Sequence, residues 1–226
     1  MTYPKIAIIM LTYNAPAYVK LAVESLAAHT QGVDYELIVV DNHSCLPTRL
    51  LLRRLKRQGK IHTLLLNRKN LLFARGNNAG SRLASDDVTH FLLINSDVEI
   101  RDDRWLTSLL ARCPEGGICA YGLVRDKPIR ADGYCILFDR GLYEKYRLDE
   151  RYEWFWSITK IQAQALKDGR QVVVVEEHEN ILHHFGGKSG NAFRGAAGMD
   201  EARQTICEWF GDHNITILDR VGGDQS

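Results

Sequence analysis

The polar side chains best suited to chemistry sit directly after short apolar runs. Residues 6–11 are followed by Thr12, Tyr13 and Asn14, residues 36–40 by Asp41, Asn42, His43 and Ser44, residues 61–66 by Asn67 to Asn70, and residues 91–94 by Asn95, Ser96 and Asp97. Ligands of an open parallel sheet bind outside the carboxyl ends of its strands, so four such ends would converge on one rim. Asp41 could there accept hydrogen bonds from a ribose hydroxyl or a base N–H, or could serve as a helix cap or turn residue. Asn95-Ser96-Asp97 is an oxygen-rich cluster suited to a hard divalent cation and a diphosphate, with an Asx-turn as the plainer alternative. Between them, residues 70–80 bring small residues and amides to a helix mouth, where backbone N–H groups can approach an anion and Arg75 supplies a cation. This segment is neither a G-x-G-x-x-G fingerprint nor a P-loop.

Such residues need a scaffold that holds the strand ends together. The four apolar runs are too short for helices and must be covered on both faces. Tyr18, Leu21, Ala22, Ser25 and Leu26 share one helical face, and Leu51 and Leu55 anchor a basic helix carrying Arg53, Arg54, Lys56 and Arg57. The resulting alternation is βαβαβ. Further helices are expected at 77–84, 105–113 and 155–167, the last stopped by Gly169, with strands at 118–121, 134–138 and 172–175. From Phe185 the chain changes character: residues 185–198 hold five glycines, which predicts a mobile loop. A short helix at 200–210, a strand at 215–218 and a frayed tail at 221–226 complete the expectation.

Taken together, Thr12-Tyr13-Asn14, Val40-Asp41-Asn42, residues 70–80 and Asn95-Ser96-Asp97 resemble the family 2 glycosyltransferases of the GT-A fold. The likeness spans residues 5 to about 190. It implies a Rossmann-like α/β/α sandwich with a mostly parallel central sheet, a domain over 1–190, and a C-terminal extension over 191–226 covering the active site. It also implies a metal-dependent, inverting hexosyltransferase that moves a sugar from a nucleoside diphosphate sugar, UDP ahead of GDP or dTDP, to an acceptor hydroxyl. By this resemblance Thr12, Tyr13, Asn14 and Asp41 hold base and ribose, while Arg75 and Asn78 sit near the diphosphate. Asn95 and Ser96 lead to Asp97, which would ligate Mn²⁺ or Mg²⁺. His184, in a segment similar to the family's H-x-G-G-x-S, would be a further ligand, with His183 as the adjacent alternative. Arg75, Lys188 and Arg194 would surround the diphosphate.

The chain departs from the family pattern in two places. Leu72 stands where the family usually has Gly, and Arg75 where a second Gly is common, which changes the shape of the diphosphate loop. More seriously, Ile158 occupies the position of the usual base carboxylate and Lys160 replaces the next Asp, counting from Asp149-Glu150. An isoleucine accepts no proton. Three explanations compete: a neighbour such as Glu153 takes over, the protein binds nucleotide sugars with lost or altered catalysis, or the coding sequence was changed at this position. Ile158, Ile161 and Ala165 also form one helical stripe, a packing reading of the same residue. Trp154, Phe155 and Trp156 crowd this position with aromatic surface. A nucleotidyltransferase of similar sheet topology is the weaker third reading.

Composition narrows the classes. The 226 residues carry 29 Lys+Arg against 28 Asp+Glu, a formal charge of +1, so a dedicated nucleic-acid binder is not indicated, although a nucleic-acid acceptor is not excluded. No apolar run reaches the length of a membrane span. Residues 6–11 are too short for a signal-peptide core and read as the first buried strand. Five cysteines without a C-x-x-C pair argue against a zinc knuckle or disulfide scaffold and for a reducing cytoplasm.

Overall fold

The computed structural model describes residues 4–125, 128–152, 155–176, 178–188, 208, 218 and 220–223. Its elements run β1 (Ile6–Thr12), α1 (Pro16–His29), β2 (Tyr35–Asp41), α2 (Leu46–Arg57), β3 (Thr63–Leu66), α3 (Leu72–Ser81), β4 (His90–Asn95), β5 (Val98–Ile100) and α4 (Trp105–Arg112). They continue with β6 (Ile118–Tyr121), β7 (Leu123–Val124), β8 (Arg130–Ala131), β9 (Cys135–Asp139), α5 (Arg140–Tyr146), α6 (Phe155–Lys167), β10 (Val172–Val175), β11 (Leu182–His184) and β12 (Gly222–Gly223).

Eight strands form one sheet in the order β12-β10-β6-β9-β4-β1-β2-β3. Only β9 runs against its neighbours, β4 and β6. Side chains alternate across each strand, so the sheet sorts them into two cores. Ile6, Ile8 and Met10 pack with Val23, Leu52, Trp105 and Leu109 on the face covered by α1, α2 and α4. Ala7 and Ile9 pack with Phe73, Leu142, Ile158 and Ile161 on the face covered by α3, α5 and α6. The result is an α/β/α sandwich with a mostly parallel central sheet, as expected from the sequence.

Register places the chemistry. Thr12 lies opposite Asp41, Asp41 opposite Leu66, and Leu11 opposite Asn95. The polar residues after β1, β2, β3 and β4 therefore share one rim, as the strand-end reading requires. A two-stranded ribbon caps it, with β11 antiparallel to β5 and His184 opposite Val98.

Three expectations shift. The helix expected at 77–84 begins at Leu72 and ends at Ser81. Its glycines do not break it because they press it onto the sheet: a Cβ on Gly76 would stand 2.4 Å from Leu11 Cδ1, and one on Gly80 2.6 Å from Ile9 Cγ2. The strand expected from residue 61 starts at Thr63, and its four residues are only half-buried because β3 is the sheet edge. The frayed tail expected from Val221 is corrected at residues 221–223. Val221 is buried, and Gly222 and Gly223 pair with Val173 and Val174. The glycine loop beyond Lys188, almost all of the expected helix and strand at 200–218, and the proposed division after residue 190 lie outside the described residues.

Candidate functional site

The β1 and β2 ends form a rigid floor. Asp41 is fully buried and accepts hydrogen bonds from Thr12 Oγ1 at 3.3 Å and from the Ser44 N–H at 3.2 Å. The turn role foreseen as its plainer reading is thus present. Asn14 and Ala15 both adopt left-handed backbone, with φ of 56° and 50°. That geometry lets the Asn14 N–H donate to Ser44 Oγ at 2.7 Å while Asn14 Oδ1 accepts from the Cys45 N–H at 2.8 Å. Tyr13 is half-buried between these anchors. Arg49, on the first turns of α2, points its Nε to within 3.8 Å of Asp41 Oδ2. That buried donor has no hydrogen-bond partner among the described residues. An orphaned donor beside a buried carboxylate is the kind of group a bound ligand satisfies.

The α3 segment is organised differently from its expectation. Leu72, the departure from glycine, has φ 60°, a left-handed conformation in which a β-carbon is strained. Asn70 Oδ1 accepts from the Leu72 N–H at 2.8 Å, and Asn42 donates to the Leu72 carbonyl at 2.9 Å, holding the strained turn. Gly76 and Gly80 face the sheet, so they serve helix packing and not the approach of an anion. Asn78, expected near a diphosphate, is tied to the protein's own groups. It is buried, donates to the Leu148 carbonyl and Glu150 Oε1, and accepts from Tyr143 Oη and the Leu148 N–H, so its amide is fully engaged. Arg75 is 56% exposed, with its Nε 3.3 Å from Glu150 Oε2.

The β4 end carries the most pointed geometry. Asp97 is buried, and its Oδ1 lies 3.3 Å from His184 Nε2. Asn95 Nδ2 lies 3.3 Å from the same ring nitrogen, and a half-turn of that amide would present its oxygen instead. Ser96 is buried beside them. Burial works to raise the Asp97 carboxyl, but hydrogen bonds from His184 and from the Lys188 backbone, the latter at 3.1 Å, outweigh it and hold the group below the usual carboxylate range. Asp97 is therefore kept as an anion in a nearly dry position. The 3.3 Å separation is long for a charge-assisted hydrogen bond. It suits two ligands of one divalent ion, which at about 2.1 Å and roughly 90–105° stand about 3.0–3.3 Å apart. No group of three or more His, Cys, Asp or Glu side chains able to hold a metal occurs among the described residues. A site of this kind leaves the remaining positions to phosphate oxygens and water.

The two histidines are cleanly separated. His183 Nδ1 lies 2.9 Å from Glu179 Oε2 and its ring packs edge-on to Phe185. His184 alone reaches Asp97, and its ring stacks on Tyr134 with centroids 4.5 Å apart at 15°.

On the opposite wall, Ile158 is 1% exposed and lies inside the core cluster against Gly133, where an added Cβ would stand 3.0 Å away. Lys160 is buried with its Nζ 2.6 Å from Asp149 Oδ2 and 4.6 Å from the Tyr152 ring centre. Glu153 lies outside the described residues, as does Trp154.

The model of the glycosyl transferase family 2 matches residues 7–161. The chain belongs to that family. Solved structures share the fold: a mannosyltransferase of Pyrobaculum calidifontis in complex with GDP-Man and Mn²⁺, at 17% identity and TM-score 0.64, covers 78% of this chain. TarS of S. aureus, residues 1–349 in complex with UDP-GlcNAc, covers 90% at 16% identity and TM-score 0.66. The catalytic domain of Drosophila β1,4-galactosyltransferase 7 in complex with xylobiose covers 80% at 16% identity and TM-score 0.55. The chain spans 56%, 66% and 71% of those three proteins respectively. No curated protein matches it by sequence.

Within this family 2 domain, the rim joins Thr12, Asn14 and Asp41 on one side and Asn95, Ser96, Asp97 and His184 on the other. Sequence reading singled out neither Arg49 nor Tyr134, the residue stacked on His184. Only Tyr134 left a signal, as an aromatic at the start of the strand expected at 134–138.

Proposed function

We propose that the protein is a metal-dependent, inverting glycosyltransferase that takes a sugar from a nucleoside diphosphate sugar, UDP foremost, to an acceptor hydroxyl. The observation carrying this reading is the 3.3 Å approach of His184 Nε2 to a buried, anionic Asp97 at a strand end. Asp97 and His184 would hold Mn²⁺ or Mg²⁺. When bound, such an ion neutralises the charge that develops on a departing nucleoside diphosphate. Thr12, Tyr13, Asn14 and Asp41, with the unsatisfied Nε of Arg49, would seat base and ribose, and Arg75 would turn from Glu150 toward the diphosphate. Glu153, just before α6, is the proposed substitute base. Cys45, Cys113, Cys119 and Cys135 are free, which fits a reducing cytoplasm.

The buried state of Ile158 favours one second reading: a nucleotide-sugar-binding protein of the same fold that lacks efficient transfer. A thermal-shift screen of UDP-, GDP- and dTDP-sugars with and without Mn²⁺ tests both readings, followed by donor-hydrolysis assays on wild type, Asp97→Ala and Glu153→Gln. Stabilisation by one donor only with Mn²⁺, with turnover lost in both variants, supports the transferase. Binding without turnover supports the second reading. Wild-type turnover in Asp97→Ala defeats the site assignment.

A further inference from the structure

Helix α2 carries a surface that the donor site does not use. The helix holds five cations and no acidic residue; Arg49 turns toward Asp41, and Arg53, Arg54, Lys56 and Arg57 lie away from the donor site. The whole chain has a formal charge of +1, so this helix concentrates positive charge that the remainder, at 1 − 5 = −4, cancels all but one unit of. Among the described residues only three large hydrophobic side chains are exposed, and two of them are on α2: Leu46 at 64% and Leu50 at 53%.

Their arrangement is directional. Thr48, Leu52 and Leu55 face the core. At roughly 100° per residue, Leu46, Leu50, Arg53 and Arg57 fall on one stripe within about 60° of arc, opposite that buried face. All four are exposed. Arg53 and Arg57 have no ion-pair partner among the described residues. An apolar half and a guanidinium half along one line match a surface that is greasy just beneath a layer of phosphate. A second copy of α2 would be repelled by its own charge. A nucleic acid would match the arginines and leave the leucines without contact.

We infer that α2 docks the protein on an anionic lipid bilayer, with Leu46 and Leu50 entering the headgroup boundary and Arg53 and Arg57 meeting lipid phosphates. The leucine end of the stripe starts five residues after Asp41, so the docked face borders the rim of the candidate site. This inference stands independently of the catalytic reading.

Co-sedimentation of the full chain with phosphatidylcholine vesicles, with and without 30 mol% phosphatidylglycerol (about that fraction suffices for a negative surface), tests it. Two double variants, Leu46→Ser/Leu50→Ser and Arg53→Gln/Arg57→Gln, are exposed changes, and their melting temperatures control for folding. Wild type should partition onto the anionic vesicles at least about tenfold more strongly than onto the zwitterionic ones. Losing the two arginines should weaken partitioning about thirtyfold, and losing the two leucines at least about tenfold. Absence of anionic-vesicle binding, or binding unchanged in either variant, overturns the inference. So does tighter binding to a short DNA duplex or to a poly-glutamate peptide that depends on the arginines and ignores the leucines.

Discussion

Lys160 Nζ lies 2.6 Å from Asp149 Oδ2, with the lysine side chain 5% exposed and the aspartate 20%. This pair ties α6 to the turn that follows α5. Asp149→Asn would leave a buried ammonium without its counter-charge and should destabilise the protein by about 3 kcal/mol. Burial acts to raise the Asp149 carboxyl, but hydrogen bonds from Arg151 and Lys160 hold it far below the usual range. A carboxyl depressed on folding stabilises fully above its unfolded value of about 4 and loses that contribution as pH falls below it. Urea midpoints of wild type and Asp149→Asn should therefore differ most at pH 7, begin to approach each other below about pH 4, and still differ at pH 3, because the folded carboxyl titrates well below that.

Ile158 is 1% exposed in the core cluster, so introducing a carboxylate there places an unpaired charge among apolar groups. Ile158→Asp should cost about 3 kcal/mol or more, against about 1 kcal/mol for Ile158→Val. Equilibrium denaturation checks both values. A neutral Ile158→Asp would mean that the position opens to the cleft.

Leu72 sits at φ 60°. The usual preference for alanine over glycine in a helix should invert at this position. Leu72→Gly should be about 1 kcal/mol more stable than Leu72→Ala, because the left-handed conformation penalises any β-carbon. Comparing these two variants removes the contribution of the leucine side chain, and denaturant titration of each gives the answer. Equal stability would show that the turn relaxes out of that conformation.

Legibility followed the range of each interaction. Strands β1, β2 and β4 were readable because both faces are buried, which leaves continuous apolar runs, and α6 because its period and Gly169 mark it. The start of α3 was not readable. Gly76 and Gly80 look like breakers until Leu11 and Ile9 are seen against them, a tertiary contact with no local trace. The three-residue strands β5 and β11 are too short for any periodic signal, yet they bring His184 to Asp97 across 87 positions of chain. Arg49 is one of five similar cations on α2, and only its position against Asp41 distinguishes it. The motif residues were legible as types and order. What each one touches was not: Asn78 carries a motif identity and a structural role.

Tyr134 is the residue whose role in the site is most open to direct measurement. Its ring stacks on His184, its carbonyl accepts from the Asn95 N–H at 2.8 Å, and its hydroxyl is bonded to His178. Gly122 lies close to the ring, where an added Cβ would stand 3.1 Å from Tyr134 Cε1. A ring held on these sides fixes the plane of the His184 imidazole, and outer partners of this kind typically influence metal affinity by about 10–100-fold. Tyr134→Leu should weaken Mn²⁺ binding about tenfold in an electron paramagnetic resonance titration of the nucleotide-free protein. Tyr134→Phe keeps the stack and should stay within about twofold of wild type, even if it melts earlier through loss of the His178 contact. Asp97→Asn should remove most of the binding. If Mn²⁺ binds wild type, weakens in His184→Ala and is unchanged in Tyr134→Leu, then the backbone of β11 alone orients the ligand and the stacked ring contributes only to packing.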